Sequence, residues 1–254
     1  MTGAERITYR LEDGVARIAL ADPTRLNAIN YAMAQQFSAA LDRAAREARA
    51  VIMTGEGRAF CAGSAVNEMD DWPEDPLRRI LNPILTRLRD FELPIVTAMN
   101  GLAVGIACSM VLCGDIIIAA DNAYFLFAFG KVGLVPDGNA SYLLPRLIGR
   151  ARTAELMMLG ERLPVAKAME WGMVNRVVPS EQLDAEAMAV ARNLAAGPAS
   201  LTATKRLLWQ SLDNDWPTQV EIETIAQYEA QASEDYREGV NAFMEKRAPR
   251  FTGR

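Results

Sequence analysis

Histidine is absent from the sequence, and that gap narrows the chemistry more than any single motif. A Ser-His-Asp or Cys-His nucleophilic apparatus and any His-ligated metal are excluded, because each needs an imidazole as base or ligand. Proton transfer must fall to Asp, Glu, Tyr, Lys or Cys. The three cysteines, Cys61, Cys108 and Cys113, follow no metal-ligand spacing, and the last two sit in an apolar run as small core residues. What remains is backbone chemistry, at the stretch 93–115, LPIVTAMNGLAVGIACSMVLCGD. Ile95 to Met99 is a β-rich run bounded by Pro94 and the turn pair Asn100-Gly101, and Ala103 to Cys113 reads as a buried helix. A strand that turns through glycine into a helix leaves N–H groups unpaired at the positive end of the helix dipole. Such a place suits a developing oxyanion. The local residues leave a second reading open, in which Gly105 only lets the helix pack closely on a sheet.

The same unit of strand, glycine-rich turn and helix occurs at 51–69, where Val51 to Thr54 is a short buried strand. GEGRAFCAGSAVNEM, Gly55 to Met69, then forms a loop that becomes helical near Val66. Two such units could aim two sets of N–H groups at one point, and an enolate oxygen needs two converging donors.

The rest of the chain must hold these turns in place. Ile7 to Leu11 and Val15 to Leu20 alternate around the hairpin signal Asp13-Gly14, and Asn30 is placed to cap a helix from Tyr31 to Ala48. A polar, Pro-rich connection at 70–76 precedes a helix from Leu77 to Phe91. Strands at Ile116–Ala120 and Ala123–Phe127 flank Asp121-Asn122, and a loop at 130–138 becomes helical near Asn139. Further helices are expected at Ala151–Leu159 and Val165–Trp171, and a strand at Val174–Val178. From Ser180 the pattern is helical, with breaks at Gly197-Pro198 and Trp216-Pro217. The order predicts an α/β core over 1–195 followed by a helical region over 196–254.

Composition fits a globular chain, with 50% hydrophobic and 23% charged residues. A net charge of −5 argues against nucleic acid as a main partner. The arginines at 78, 79, 87 and 89 fall at helical spacing and read as a solvated face. The N-terminus MTGAERITYR is polar and charged, unlike a secretion signal, and no apolar run approaches a membrane span, so a cytoplasmic, reduced protein is expected. Asp115 should fix the turn after the central helix, and Glu68 and Asp70 should be solvated. Ser109 should bond its own helix backbone. Asp137, followed by Gly138, reads locally as an N-cap for the helix beginning near Asn139.

With both glycine-rich units in view, the chain resembles the crotonase (enoyl-CoA hydratase/isomerase) superfamily. The residues that carry the likeness are Leu26-Asn27-Ala28, AFCAGS at 59–64, AMNGLAVG at 98–105, CGDIIIAA at 113–120, KVGLVPDG at 131–138, LPRLIG at 144–149 and YREGVNAFMEKRAPRF at 236–251. Within it, LVPD and DYREGV look closest to bacterial epoxyphenylacetyl-CoA isomerases and related enoyl-CoA isomerases.

The resemblance implies a spiral of ββα turns and C-terminal helices that build a homotrimer or a dimer of trimers. It implies an acyl-CoA substrate, with coenzyme A as part of that substrate and no separate cofactor or metal. By position, the thioester oxygen would accept from the backbone amides of Ser64 and Ile106. The two glutamates of hydratases fall at Ser109 and Phe129, neither of which can act as a carboxylate base. Asp137 stands where related isomerases carry an acidic residue, and so becomes the single acid/base of a 1,3-proton shift. Arg25, Leu26, Ala62, Ser64, Ala65, Val66 and Asn67 would line the CoA path, and Phe243 and Lys246 would reach the CoA of a neighbouring subunit. Trp72 and Phe129 would wall the acyl pocket. A hydratase with a displaced base and a non-catalytic acyl-CoA-binding trimer are the alternatives.

Overall fold

The chain winds repeatedly from one sheet to a second and back through a helix. The computed structural model describes residues 4–253, and residues 69–71 for their backbone alone. β1 (Ile7–Glu12) and β2 (Val15–Leu20) pair as the expected hairpin, and α1 (Tyr31–Glu47) returns along them. Asn30 caps α1, its Oδ1 accepting from the Met33 N–H at 3.0 Å. β3 (Ala50–Gly55) and β4 (Ala59–Cys61) follow, then a 3₁₀ segment (Val66–Asp71), one π turn (Leu77–Leu81) and α2 (Asn82–Arg89). The next unit is β5 (Ile95–Met99), β6 (Leu102–Val104) and α3 (Ile106–Leu112). After it come β7 (Ile116–Ala120), β8 (Tyr124–Leu126) and α4 (Ala140–Leu159). β9 (Arg162–Pro164), α5 (Val165–Glu170), β10 (Arg176–Val178) and α6 (Leu183–Ala195) complete the strand-bearing part. α7 (Ser200–Gln210), α8 (Trp216–Gln231) and α9 (Glu234–Glu245) are helices alone.

One sheet runs in the order β1-β2-β3-β5-β7-β10, and the other in the order β4-β6-β8-β9. The units β3–β4, β5–β6 and β7–β8 therefore each place their first strand in one sheet and their second in the other, which is the spiral of ββα turns. The first sheet is covered on both faces, so its strands read as near-continuous apolar runs. Alternation still sorts them. Ala50, Ile52, Val96 and Ala98 face Leu183, Ala187 and Ala191 of α6, while Val51, Met53, Ile95 and Met99 face the main core.

Two sequence expectations need correction. The run from Ala103 to Cys113 is not one helix, and Gly55 to Met69 is not strandless, because β6 and β4 occupy 102–104 and 59–61. With β9, these strands are three residues each, too short to show a period of two. The helices expected near Asn139 and at 151–159 are one element, α4, interrupted where Gly149 takes φ 77° and ψ 161°. No helix of the described residues is long and apolar enough to cross a membrane.

Candidate active site

β4 and β6 are parallel neighbours, with Ala59 opposite Leu102 and Cys61 opposite Ala103. The loops that leave their C-terminal ends therefore emerge side by side. They also touch: Gly63 has φ 89°, and a Cβ on it would lie 2.8 Å from the Val104 carbonyl oxygen. Cys61 steadies the first loop, its Sγ accepting from the Gly63 N–H at 3.3 Å. Ile29 bridges the same loop, donating to the Gly63 carbonyl at 2.7 Å and accepting from the Ala65 N–H at 2.8 Å. Those bonds use the residues on either side of Ser64, so the Ser64 N–H faces the opposite way. Among the described residues it donates to no backbone acceptor.

The second loop ends at Gly105, with φ 57° and ψ −126°, a region open at low cost only to glycine. A Cβ there would meet Phe129 no closer than 3.6 Å, an ordinary contact. Backbone conformation, not crowding, requires glycine here, which decides against the close-packing reading. The Gly105 N–H is tied to the Leu126 carbonyl at 2.9 Å. Ile106 opens α3, so its N–H has no partner within the helix and points out of its N-terminus.

The segment 129–139 brings a carboxylate to the same place. A Cβ on Gly138 would lie 2.8 Å from Ile106 Cγ1, 3.1 Å from Leu85 Cδ1 and 3.4 Å from Ser109 Oγ. Asp137 thus sits beside the first turn of α3. It does not cap α4: Asn139 is the N-cap residue, with φ 61° and no side-chain bond, and only the Asp137 backbone carbonyl is engaged, by the Ala140 N–H at 3.2 Å. Asp137 Oδ1 is buried without a hydrogen-bond partner. Burial pushes this carboxyl up from its ordinary 3.8, opposed only by its own backbone N–H.

Two polar side chains differ from expectation. Ser109 is fully buried and its Oγ has no hydrogen-bond partner among the described residues. Glu68 is not solvated: the 3₁₀ segment folds it against the start of α1, where it pairs with Arg25 and accepts from Asn30 Nδ2 at 2.8 Å. The side chain of Asp70 lies outside the described residues. Asp115 holds its turn as expected, accepting from the Ile95 N–H at 2.7 Å.

The residues assigned to the CoA path gather around the same loops. The Ala62 N–H donates to the Leu26 carbonyl at 2.9 Å. Asn27, fully buried with φ 56°, accepts from the Asp22 N–H at 2.9 Å and donates to the Glu56 and Ala59 carbonyls at 2.9 and 2.8 Å. That side chain locks the loop after the hairpin onto β4 and the turn before it, and only its place beside Leu26 in the sequence hinted at it. Ala65 is buried, whereas Arg25, Val66 and Asn67 are exposed. Phe243 and Lys246 are exposed on and just after α9, which packs on α8.

Trp72 is buried against Tyr31, ring centroids 6.1 Å apart, with its indole N–H unpartnered. Phe129 lies beside Gly105. Neither lines the small apolar cavity of about 10 Å³ between α1, α2 and α3, whose walls include Met33, Phe37, Ile84, Leu85, Ile106 and Met110. Sequence reasoning missed these, because an apolar stripe on a helix looks the same whether it meets core or ligand. No group of three side chains able to ligate a metal occurs among the described residues.

The model of the enoyl-CoA hydratase/isomerase family matches residues 10–254. The chain is 40% identical to the 1,2-epoxyphenylacetyl-CoA isomerase of Escherichia coli K12, over 98% of this chain and 99% of that one. It is 38% identical to a Rhodobacter capsulatus protein named "Probable enoyl-CoA hydratase", over 98% of both. The crystal structure of an enoyl-CoA hydratase from Bacillus anthracis superposes with a TM-score of 0.93 at 28% identity, covering 98% of this chain and 100% of that one.

Proposed function

The chain belongs to the enoyl-CoA hydratase/isomerase family of the crotonase superfamily, and we propose that within it the protein is an isomerase that moves a double bond of an acyl-CoA thioester. The thioester oxygen accepts from the amides of Ser64 and Ile106. Asp137 takes a proton from the carbon next to the carbonyl or from the carbon two positions further along. The electron pair of the broken C–H bond passes into the conjugated system and places negative charge on the oxygen held by the two amides. Asp137 then returns the proton at the other carbon, so the double bond shifts with no net gain or loss of atoms. One such amide donor is typically worth about 3 kcal/mol in the transition state. In this reading coenzyme A belongs to the substrate, and no resident cofactor or metal takes part.

The observation that carries the reading is the half-buried carboxyl of Asp137 beside the N-terminus of α3, with one oxygen buried and without a hydrogen-bond partner. Ser109 and Phe129 stand where a hydratase would carry its glutamates, and neither can act as a carboxylate base for water. The printed name of the Escherichia coli relative, an isomerase, supports the same choice. Arg25 lies at the lip of the CoA path, where a phosphate would compete with Glu68 for its guanidinium. We also assign the exposed Trp216, Phe243 and Met244 to contacts in a homotrimer or dimer of trimers, in which Phe243 and Lys246 would meet a neighbour's CoA.

The test is incubation with 3-enoyl-CoA and 2-enoyl-CoA in deuterated water. Deuterium should enter at the alpha or gamma carbon without addition of water, and Asp137→Asn should stop the exchange while acyl-CoA still binds. Hydroxyacyl-CoA as the sole product would defeat the isomerase reading. Binding with no turnover of any enoyl-CoA would leave a non-catalytic acyl-CoA holder.

A further inference from the structure

The proposed acid/base is a carboxylate that no other side chain holds. Asp137 Oδ1 has no partner, and the only donor acting on the carboxyl is its own backbone N–H. The backbone around it is sparsely tied as well. The Leu134 N–H donates to the Phe129 carbonyl at 3.0 Å, and the Ala140 N–H to the Asp137 carbonyl at 3.2 Å. Between those two residues no N–H donates to a backbone carbonyl among the described residues. From Lys131 to Val135 the segment is exposed, and Gly138 is the first residue after them to be buried. That glycine is where the segment meets the rest of the protein. A base must keep its place relative to the oxyanion donors, because a misplacement of about 1 Å can cost roughly 10²-fold in rate.

What Gly138 meets first is Ile106. A Cβ at 138 would lie 2.8 Å from Ile106 Cγ1, closer than carbon atoms pack, and φ is +60° there. Ile106 has little freedom to swing aside. It is 3% exposed, and the cavity beside it measures only about 10 Å³. Its β-branched side chain is also held largely to one rotamer on a helix. The same residue begins α3, and its N–H is the one assigned to the thioester oxygen. Ile106 therefore bears on both halves of the site, through its amide and through its side chain.

We propose that Ile106 is a positioning residue whose side chain, seated against the bare backbone of Gly138, sets the distance between the Asp137 carboxylate and the amide that holds the thioester oxygen. The inference rests on the isomerase reading above and adds to it what fixes the base. The thioester oxygen and the carbons that exchange the proton are a fixed number of bonds apart, so donor and base must stay in register. Gly138 permits the close approach, and Ile106 is the stop against which it rests. Removing the stop frees the turn, whereas a methyl group at 138 drives it outward into solvent.

The experiment is a double-mutant cycle on the whole protein, with kcat, KM and the acid limb of kcat/KM measured on 3-hexenoyl-CoA. Ile106→Ala keeps the N–H and removes Cγ1. Its kcat should fall about tenfold or more with KM changed less than about threefold, the pattern of lost alignment rather than lost binding. Ile106→Val, which keeps a carbon at the contact, should recover most of that loss. Gly138→Ala should lower kcat about 10²-fold and move the midpoint of the acid limb down toward 3.8, since burial is what holds that carboxyl up. Combined, the two changes should oppose each other. Ile106→Ala, harmful alone, should raise kcat at least about threefold in the Gly138→Ala chain and bring the midpoint back up, because the added methyl takes the space left. The strain of a Cβ at positive φ is common to both chains and cancels from the comparison.

Additive losses, or an Ile106→Ala chain with unaltered kcat, overturn the proposal. Should Ile106→Ala fail to fold, Gly138→Ala carries the test alone, and a kcat within about threefold of the original or an acid limb that does not move overturns it. If Asp137→Asn still exchanges deuterium, or the unaltered protein exchanges none into 3-hexenoyl-CoA, the isomerase reading falls and this inference with it. If that reading stands and the cycle is additive, this inference alone falls.

Discussion

Asp115 and Asp137 are both aspartates whose carboxyls burial pushes above the ordinary 3.8, yet the fold treats them in opposite ways. Asp115 accepts from the Ile95 N–H at 2.7 Å and meets Lys205 Nζ at 2.9 Å. Lys205, itself only 6% exposed, also donates to the Leu93 carbonyl at 3.2 Å. Together they clamp α7 to the start of β5 and β7, and the ammonium and the amide both pull the Asp115 carboxyl back down. Burial lowers the Lys205 ammonium, and Asp115 opposes that shift. Asp137 has no such company. One oxygen is buried without a partner, and no neighbouring cation opposes the effect of burial. Where a carboxylate only holds the fold, folding supplies its partners. Where it must meet a ligand, the partner is left to the ligand, at a cost in stability.

Asp137→Asn tests the contrast with the largest effect. Turnover should fall about 10²- to 10⁴-fold, the usual worth of a positioned acid/base, while stability in urea at neutral pH holds or improves. A large loss of stability would make Asp137 a structural group like Asp115. Lys205→Met is the mirror experiment. It leaves Asp115 buried without its cation, and breaking such a pair costs about 3–5 kcal/mol. Urea unfolding should show that loss, and replacing Asp115 by Leu in the same chain should restore most of it. The folded fraction should keep its turnover.

Ile106→Pro addresses the other half of the site. Proline is accommodated at the first position of a helix, so it removes the N–H with little harm to α3. A loss of about 10²–10³-fold in kcat is expected for one oxyanion donor, with an unchanged circular dichroism spectrum. Turnover near the original rate would show that the amide at 106 does not hold the thioester oxygen.

The carboxylate contrast was only half legible in the sequence. Asp137 looks locally like a helix cap, and only the family likeness marks it otherwise. What frees its side chain is Asn139 taking the left-handed N-cap position, a choice made by how the loop meets α3 rather than by neighbours in sequence. Glu68 shows the opposite limit. Its spacing reads as a solvated helix, but the 3₁₀ segment carries it onto Arg25, a residue 43 positions earlier that no periodicity connects to it. The hairpin, α1 and β5 were readable because each carries a full period or a strong turn signal. The two glycine turns were readable as turns because the left-handed backbone of Gly63 and Gly105 needs the residue type that the sequence shows there. That the Ser109 hydroxyl stays unbonded was not readable, since whether a helical serine bonds its own carbonyl depends on a rotamer set by packing.

The difference between the two aspartates should also appear as a dependence on pH. A carboxyl whose pKa is higher in the folded chain than in the unfolded one binds its proton more tightly when folded. Its burial therefore weakens the fold only where it is ionised, above the raised value, and that cost disappears as pH falls through the window down to 3.8. Asn carries no charge at any pH, so the stability advantage of Asp137→Asn over the unaltered protein should be present at neutral pH and shrink to nothing as acid is added. The same ionisation governs the chemistry, since only the carboxylate can accept the substrate's proton. The acid limb of kcat/KM should thus have its midpoint above 3.8, the free enzyme's raised value. A midpoint at or below 3.8, with an Asn variant whose advantage does not change with pH, would mean that Asp137 is as well solvated as any surface aspartate.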